Sequence, residues 1–133
     1  MAGVCPWGWH VPSVAEWTQL TDYVSSQSQY VCGSNNVSIG KALASTTGWN
    51  NSTNNCAVGN NQSANNTTGF SALPAGLYTL HYFYPGYYAY FWSTTSNSSD
   101  GYANGRSMNY DSTSVNWPNF NTYYGYSVRC LRN

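Results

Sequence analysis

Four cysteines constrain this sequence more than any other feature: Cys5 and Cys130 stand at opposite ends of a 133-residue chain, with Cys32 and Cys56 between them. Four cysteines allow three pairings. The favoured one joins Cys5 to Cys130, tying the two ends together, and nests Cys32–Cys56 inside. In the chain-entropy view the long loop contributes about 4–5 kcal/mol and the short one about 3 kcal/mol. A short disulfide-bearing chain belongs in an oxidising compartment, so an extracellular or cell-surface location is expected, with a phage tail as the alternative. A zinc site drawn from Cys5 and His10 is the lesser reading of the same residues. The length is that of one domain, residues 1–133. Met1-Ala2-Gly3 runs straight into it without a leader, which reads as a module taken from, or ending, a longer protein.

Charge is scarce. The basic residues are Lys41, Arg106, Arg129 and Arg132, the acidic ones Glu16, Asp22, Asp100 and Asp111, and the formal net charge is zero. A chain with so few cations cannot neutralise a run of phosphates, so no nucleic-acid partner is expected. It has neither a basic amphipathic stretch nor an apolar run of about 20 residues, so no direct membrane insertion is expected either. Polar chains of low hydrophobicity are often disordered, but those are poor in aromatics. Here 17% of residues are aromatic, including six Trp and thirteen Tyr, enough ring surface to build a core and still line an exterior.

The chain reads as scaffold up to residue 76 and as sheet from 77 to 133. Ser13-Val14-Ala15-Glu16 has the form of a capping box. Val14, Trp17, Leu20, Tyr23 and Val24 follow at helical spacing, which predicts a helix over about 13–25. A shorter helix is predicted over 38–44, with Ile39, Ala42 and Leu43 inward. Residues 45–69 form a long Asn-rich loop that Cys56 would pin. Sequons such as Asn51-Ser52-Thr53 and Asn66-Thr67-Thr68 occur there, but in so Asn/Ser/Thr-rich a stretch they carry little weight. Tyr, Phe, Val and Thr in short runs broken by Gly, Asn, Asp and Pro predict strands near 77–83, 88–94, 103–110, 113–117 and 125–131. Alternation on the last would turn Val128 and Cys130 inward. Helices first and an antiparallel sheet after make an α+β fold.

Specific blocks go further. Cys5-Pro6-Trp7-Gly8-Trp9-His10-Val11-Pro12-Ser13 with Glu16-Trp17, then Gly69-Phe70-Ser71-Ala72-Leu73-Pro74-Ala75-Gly76, then Phe91-Trp92-Ser93-Thr94-Thr95, and Gly125-Tyr126-Ser127-Val128-Arg129-Cys130 follow in order along the chain. Together they resemble the Fibrobacter succinogenes major paralogous domain, a bacterial extracellular module. The resemblance implies a C-type-lectin-like fold: one or two N-terminal helices and a twisted antiparallel sheet with long loops. The strand and Trp-Met segment that usually precede the Cys-Pro block in that family are not found here.

The C-terminal half also resembles the variable region of proteins diversified by retroelements that mutate adenines, some of which use this module. An AAC or AAT codon so mutated yields Tyr, Ser, Asp, Asn, Thr, Ala, Gly, His, Phe or Leu among others, and never Lys, Gln, Glu, Trp or Met. After Gln62 the chain contains no Lys, Gln or Glu, and eleven of its thirteen Tyr lie beyond residue 77. Trp92, Met108 and Trp117 would then be fixed positions. A Tyr-rich sheet that was never diversified would share this composition.

Binding chemistry stands apart from that resemblance. Tyr supplies broad amphipathic contact at low entropic cost, and Ser, Gly and Asn supply adaptable hydrogen bonds, the mixture antibody paratopes use. The candidate contacts are Tyr78, His81, Tyr82, Tyr84, Tyr87 and Tyr88, then Asn97, Ser99, Asp100, Tyr102 and Asn104. A second cluster is Asn109, Tyr110, Asp111, Asn116, Asn119, Phe120, Asn121, Tyr123 and Tyr124. Strand alternation should send about half the tyrosines into the core, and Tyr90, beside Phe91-Trp92, is the least expected contact.

No metal or other cofactor is expected. Calcium needs six to eight oxygen ligands with several carboxylates, and Asn116-Trp117-Pro118-Asn119 lacks the acid of calcium-dependent sugar sites. Neither His10 nor His81 lies in a nucleophile or zinc-hydrolase motif. Formylglycine-generating enzymes share the broader fold and use reactive cysteines, but Cys5 and Cys130 take the positions of a structural bridge. The expected function is therefore non-enzymatic binding of a protein or glycan ligand on a cell or phage surface. The alternatives are a fixed carbohydrate-binding module and a structural surface domain.

Overall fold

The computed structural model describes residues 3–97 and 101–133. Ser99 and Asp100 lie outside them. The order is β1 (Trp9–His10), α1 (Val14–Ser26), α2 (Gly40–Leu43), β2 (Leu77–Tyr78), β3 (Tyr82–Phe83), β4 (Tyr88–Asn97), β5 (Tyr102–Asn109), β6 (Asn119–Asn121) and β7 (Leu131–Arg132). The fold is α+β, two helices with small antiparallel sheets: β1 with β7, β2 with β3, and β4-β5-β6.

The capping box forms as the sequence requires. Ser13 Oγ accepts from the Glu16 amide, and a Glu16 carboxylate oxygen accepts from the Ser13 amide at 2.8 Å. This satisfies two amides that the first helical turn leaves free. The helix buries Trp17, Thr21 and Val24 against the sheet. Trp17 indole N–H donates to the Trp92 carbonyl at 3.2 Å, locking α1 to β4.

Alternation along β4 divides the interior in two. Ala89 and Phe91 face a core with Trp17, Val24, Leu43, Trp49 and Met108, while Trp92 joins Val11, Ala103 and Phe120 in a second core. Tyr90 and Tyr126 pack against the second core. A buried ring or large aliphatic contributes roughly 1.5–3 kcal/mol relative to exposure, so both faces of this one sheet hold the fold together.

Two disulfides form, Cys5–Cys130 and Cys32–Cys56, as the sequence favoured. The first leaves no thiolate for the alternative zinc site. Lys41 Nζ donates to the carbonyls of Asn60, Asn61 (3.3 Å) and Ala57 (3.5 Å), so an ammonium helps gather the Asn-rich loop. Partial burial holds its pKa below the usual lysine range. Asn65, itself buried, donates to the carbonyls of Ser45 and Val58 and closes the loop on the core.

Three expectations change. The strand expected over 77–83 is two short strands around a turn, β2 and β3. Residues 113–117 form no strand. Their backbone serves other segments: the Gly40 amide donates to Thr113, and Asn116 makes an isolated bridge with Ser107. The expected strand over 125–131 is reduced to bridges of Gly125 with Tyr78 and Ser127 with Phe91, followed by β7. Val128 does pack against the second core.

Candidate binding surface

Side chains at alternate positions of β4 build a column of rings. Tyr88 and Tyr90 stack at 5.1 Å, Tyr84 meets Tyr88 edge-on at 5.6 Å, and Tyr90 meets Tyr126 at 5.6 Å. Tyr126 stacks on Phe120 at 4.2 Å and stands edge-on to Trp92 at 4.7 Å. The column runs from Trp92, 8% exposed, through half-buried Tyr90 and Tyr88 to Tyr84, 52% exposed. Burial, with Tyr88, Tyr126 and Tyr84 close by, pushes the Tyr90 phenol up to about 12. Burial first and Tyr124 second raise Tyr126 as well. Both stay neutral hydrogen-bonding groups across the physiological range.

Through Tyr126 the column adjoins a cleft of about 370 Å³, which Tyr126 lines with Gly76, Leu77, Tyr78, Tyr82 and Gly125. The Tyr78 and Tyr82 rings meet edge-on at 5.0 Å across the β2–β3 pair. The Gly125 and Tyr78 backbones exchange hydrogen bonds of 2.6 and 2.8 Å, which fixes the 123–126 segment beside the hairpin. Tyr82 is 76% exposed and Tyr123 88%. The hairpin turn adds Leu80, 86% exposed, and exposed His81. Leu80 was missed from sequence because an isolated Leu between Thr79 and His81 reads as an inward strand residue.

The other candidates do not all join this patch. Tyr87 pairs edge-on with Tyr110 at 5.4 Å, near Asn109 and Asp111. Asp111 accepts from Ser52 and from Asn54 at 2.9 Å and so holds the Asn-rich loop, while Asn109 accepts from the Asp111 amide. In the β5–β6 register Tyr102 pairs with Asn121 and Asn104 with Asn119. Alternation turns these four away from Ala103 and Phe120, and hence from the ring column. Asn121 Oδ1 accepts from the Tyr123 amide. Asn116 and Tyr124 are exposed. Asn97 ends β4, with its side chain outside the described residues.

Phe120 is a correction. Its ring is 3% exposed in the second core and is not a surface group. Of the residues expected to be fixed, Trp92 and Met108 are buried, whereas Trp117 is 54% exposed. The Trp117 ring lies 4.0 Å from the guanidinium carbon of Arg106 and caps that buried cation. Arg106, 2% exposed, donates to the carbonyls of Gly105 and Val14 and to the Thr18 hydroxyl, and burial lowers its pKa.

Among the described residues no three His, Cys, Asp or Glu side chains gather as a metal site, and no helix is long and apolar enough to cross a membrane. His10 bonds Asn133 Oδ1 at 2.6 Å through Nδ1 and Glu16 at 2.8 Å through Nε2, tying the chain's end to the helix cap. Compared with known families, residues 1–132 match the Fibrobacter succinogenes major domain. No curated protein and no solved structure matches the chain.

Proposed function

The chain belongs to the Fibrobacter succinogenes major domain family, and from that premise we propose that it is a non-enzymatic, surface-displayed binding domain with a C-type-lectin-like fold. In this reading its Tyr-rich face has been varied to fit a macromolecular ligand on a cell or phage surface. The observation that carries it is the exposure of Tyr78, Tyr82, Tyr84, Tyr123 and Tyr124, between 40% and 88%, with Tyr78 and Tyr82 lining one cleft beside Tyr126 of the ring column. Folding does not account for rings left in water, and pre-organised aromatics lower the entropic cost of binding. Two disulfides are compatible with an extracellular position. Sequencing the DNA around the gene tests the diversification directly. The expected result is a second copy of the C-terminal coding segment that differs only at adenines; differences spread over all four bases would overturn it.

The second reading, a fixed carbohydrate-binding module, has an observation of its own. Trp7 is fully exposed and Trp9 is 45% exposed, and they line an open groove of about 550 Å³ with Arg132 and Asn133. Flat indole faces beside planar donors suit a sugar ring. Glycan binding lost on Trp7→Ala and kept on Tyr82→Ser would favour this reading over the first.

A further inference from the structure

A separate cleft, sharing no lining residue with the Tyr-rich patch, opens between α1, the 68–70 turn and the C-terminal segment. Its volume is about 400 Å³, within the range of small-molecule sites. The walls are apolar: Pro12, Trp17, Leu20 and Phe70, with the Trp17 and Phe70 rings edge-on at 5.9 Å. Two charged groups reach it, Glu16 and Arg129.

These two groups are not equivalent. Glu16 is spent, one oxygen on His10 and the other on the Ser13 amide and hydroxyl. Arg129 lies with its guanidinium carbon 4.4 Å from the Phe70 ring, which holds the plane in place. Among the described residues its one hydrogen bond is a long contact to the Ser71 carbonyl, 3.4 Å, and none of their carboxylates lies within ion-pair distance. A guanidinium fork that pairs with no described carboxylate, held against Phe70 on the wall of an apolar cleft, matches the geometry of a carboxylate.

We propose that this cleft is a binding site for a small apolar carboxylate, its hydrocarbon or aryl body against Trp17, Leu20 and Phe70 and its carboxylate on Arg129. The site is independent of the Tyr-rich face, so the domain carries two recognition surfaces of different chemistry.

Titration calorimetry with 1-naphthaleneacetate and its neutral amide tests this on the intact, oxidised domain. The acid should bind at one site and the amide at least about tenfold more weakly, the size of a charge-assisted hydrogen bond. Arg129→Gln should bring the acid down to the affinity of the amide. Leu20→Trp, which fills the cleft and leaves the cation, should remove binding of both. Amide NMR shifts should fall on residues 16–20, 68–70 and 129–131. Equal affinity for acid and amide in the wild-type protein would overturn the proposal, whatever the variants do. So would acid binding that survives Leu20→Trp, or shifts confined to 78–84 and 123–126.

Discussion

A β-carbon on Gly105 would stand 2.1 Å from the Phe120 ring and 2.7 Å from the Phe91 carbonyl. The ring lies flush on the β5 backbone because nothing projects there. The second core depends on that approach, since Phe120 carries Trp92, Tyr90 and Tyr126. Gly105→Ala should lower unfolding stability by about 1–3 kcal/mol, the usual cost of overpacking, measured by urea denaturation. An unchanged midpoint would show that the ring can move aside.

The outer and inner tyrosines should part company. Tyr82→Ser and Tyr123→Ser remove exposed rings and should change stability by no more than about 0.5 kcal/mol. Tyr126→Ala removes a ring packed on both Phe120 and Trp92 and should cost about 2–4 kcal/mol. Thermal melts of the three variants check this, and equal losses would erase the distinction between presented and supporting rings.

The tie between His10 and Glu16 sets a pH dependence. The hydrogen bonds to Asn133 and then Glu16 raise the His10 pKa above its ordinary 6.5. The Ser13 amide and then His10 lower that of Glu16 below its ordinary 4.5. The histidine's contribution is complete below 6.5 and fades as pH rises through its raised value. The glutamate's is complete above 4.5 and fades as pH falls through its lowered value. Melting temperature should therefore be highest between about pH 4.5 and 6.5, and His10→Ala should flatten its fall on the alkaline side. A wild-type profile that keeps rising above pH 7 would contradict this.

Lys41 should govern the Asn-rich loop without holding the whole fold. Lys41→Met removes the donor shared by Ala57, Asn60 and Asn61, and amide hydrogen exchange should quicken across 57–61 while α1 keeps its protection. Cys32–Cys56 still limits the loop's excursion. Uniformly faster exchange would mean that the lysine supports the core instead.

What was legible in the sequence was whatever a local rule controls. Ser13 and Glu16 announce the helix start, and the positions of Cys5 and Cys130 favour the bridge that forms. Segments 113–117 and 125–131 look like strands by residue type, yet each meets single residues of other elements, Gly40 of α2 and Ser107 of β5 for the first, Tyr78 of β2 and Phe91 of β4 for the second, which composition does not encode. Phe120 stands among asparagines and reads as surface, but the Asn-Phe-Asn alternation turns it inward. Sequence supplied the candidate residues without their grouping: the β5–β6 register sends Tyr102, Asn104, Asn119 and Asn121 away from the ring column. Trp117 reads from sequence only as a fixed position, and its place as the half-exposed cap on Arg106 depends on a contact across the fold.

Deep sequencing of this gene across a population of cells separates a varied face from a fixed frame. Amino-acid replacements should concentrate at Tyr78, Tyr82, Tyr84, Tyr123 and Tyr124, with Trp92, Gly105, Arg106, Phe120 and Tyr126 unchanged. Replacements spread evenly over both sets, or none at the exposed tyrosines, would contradict that division.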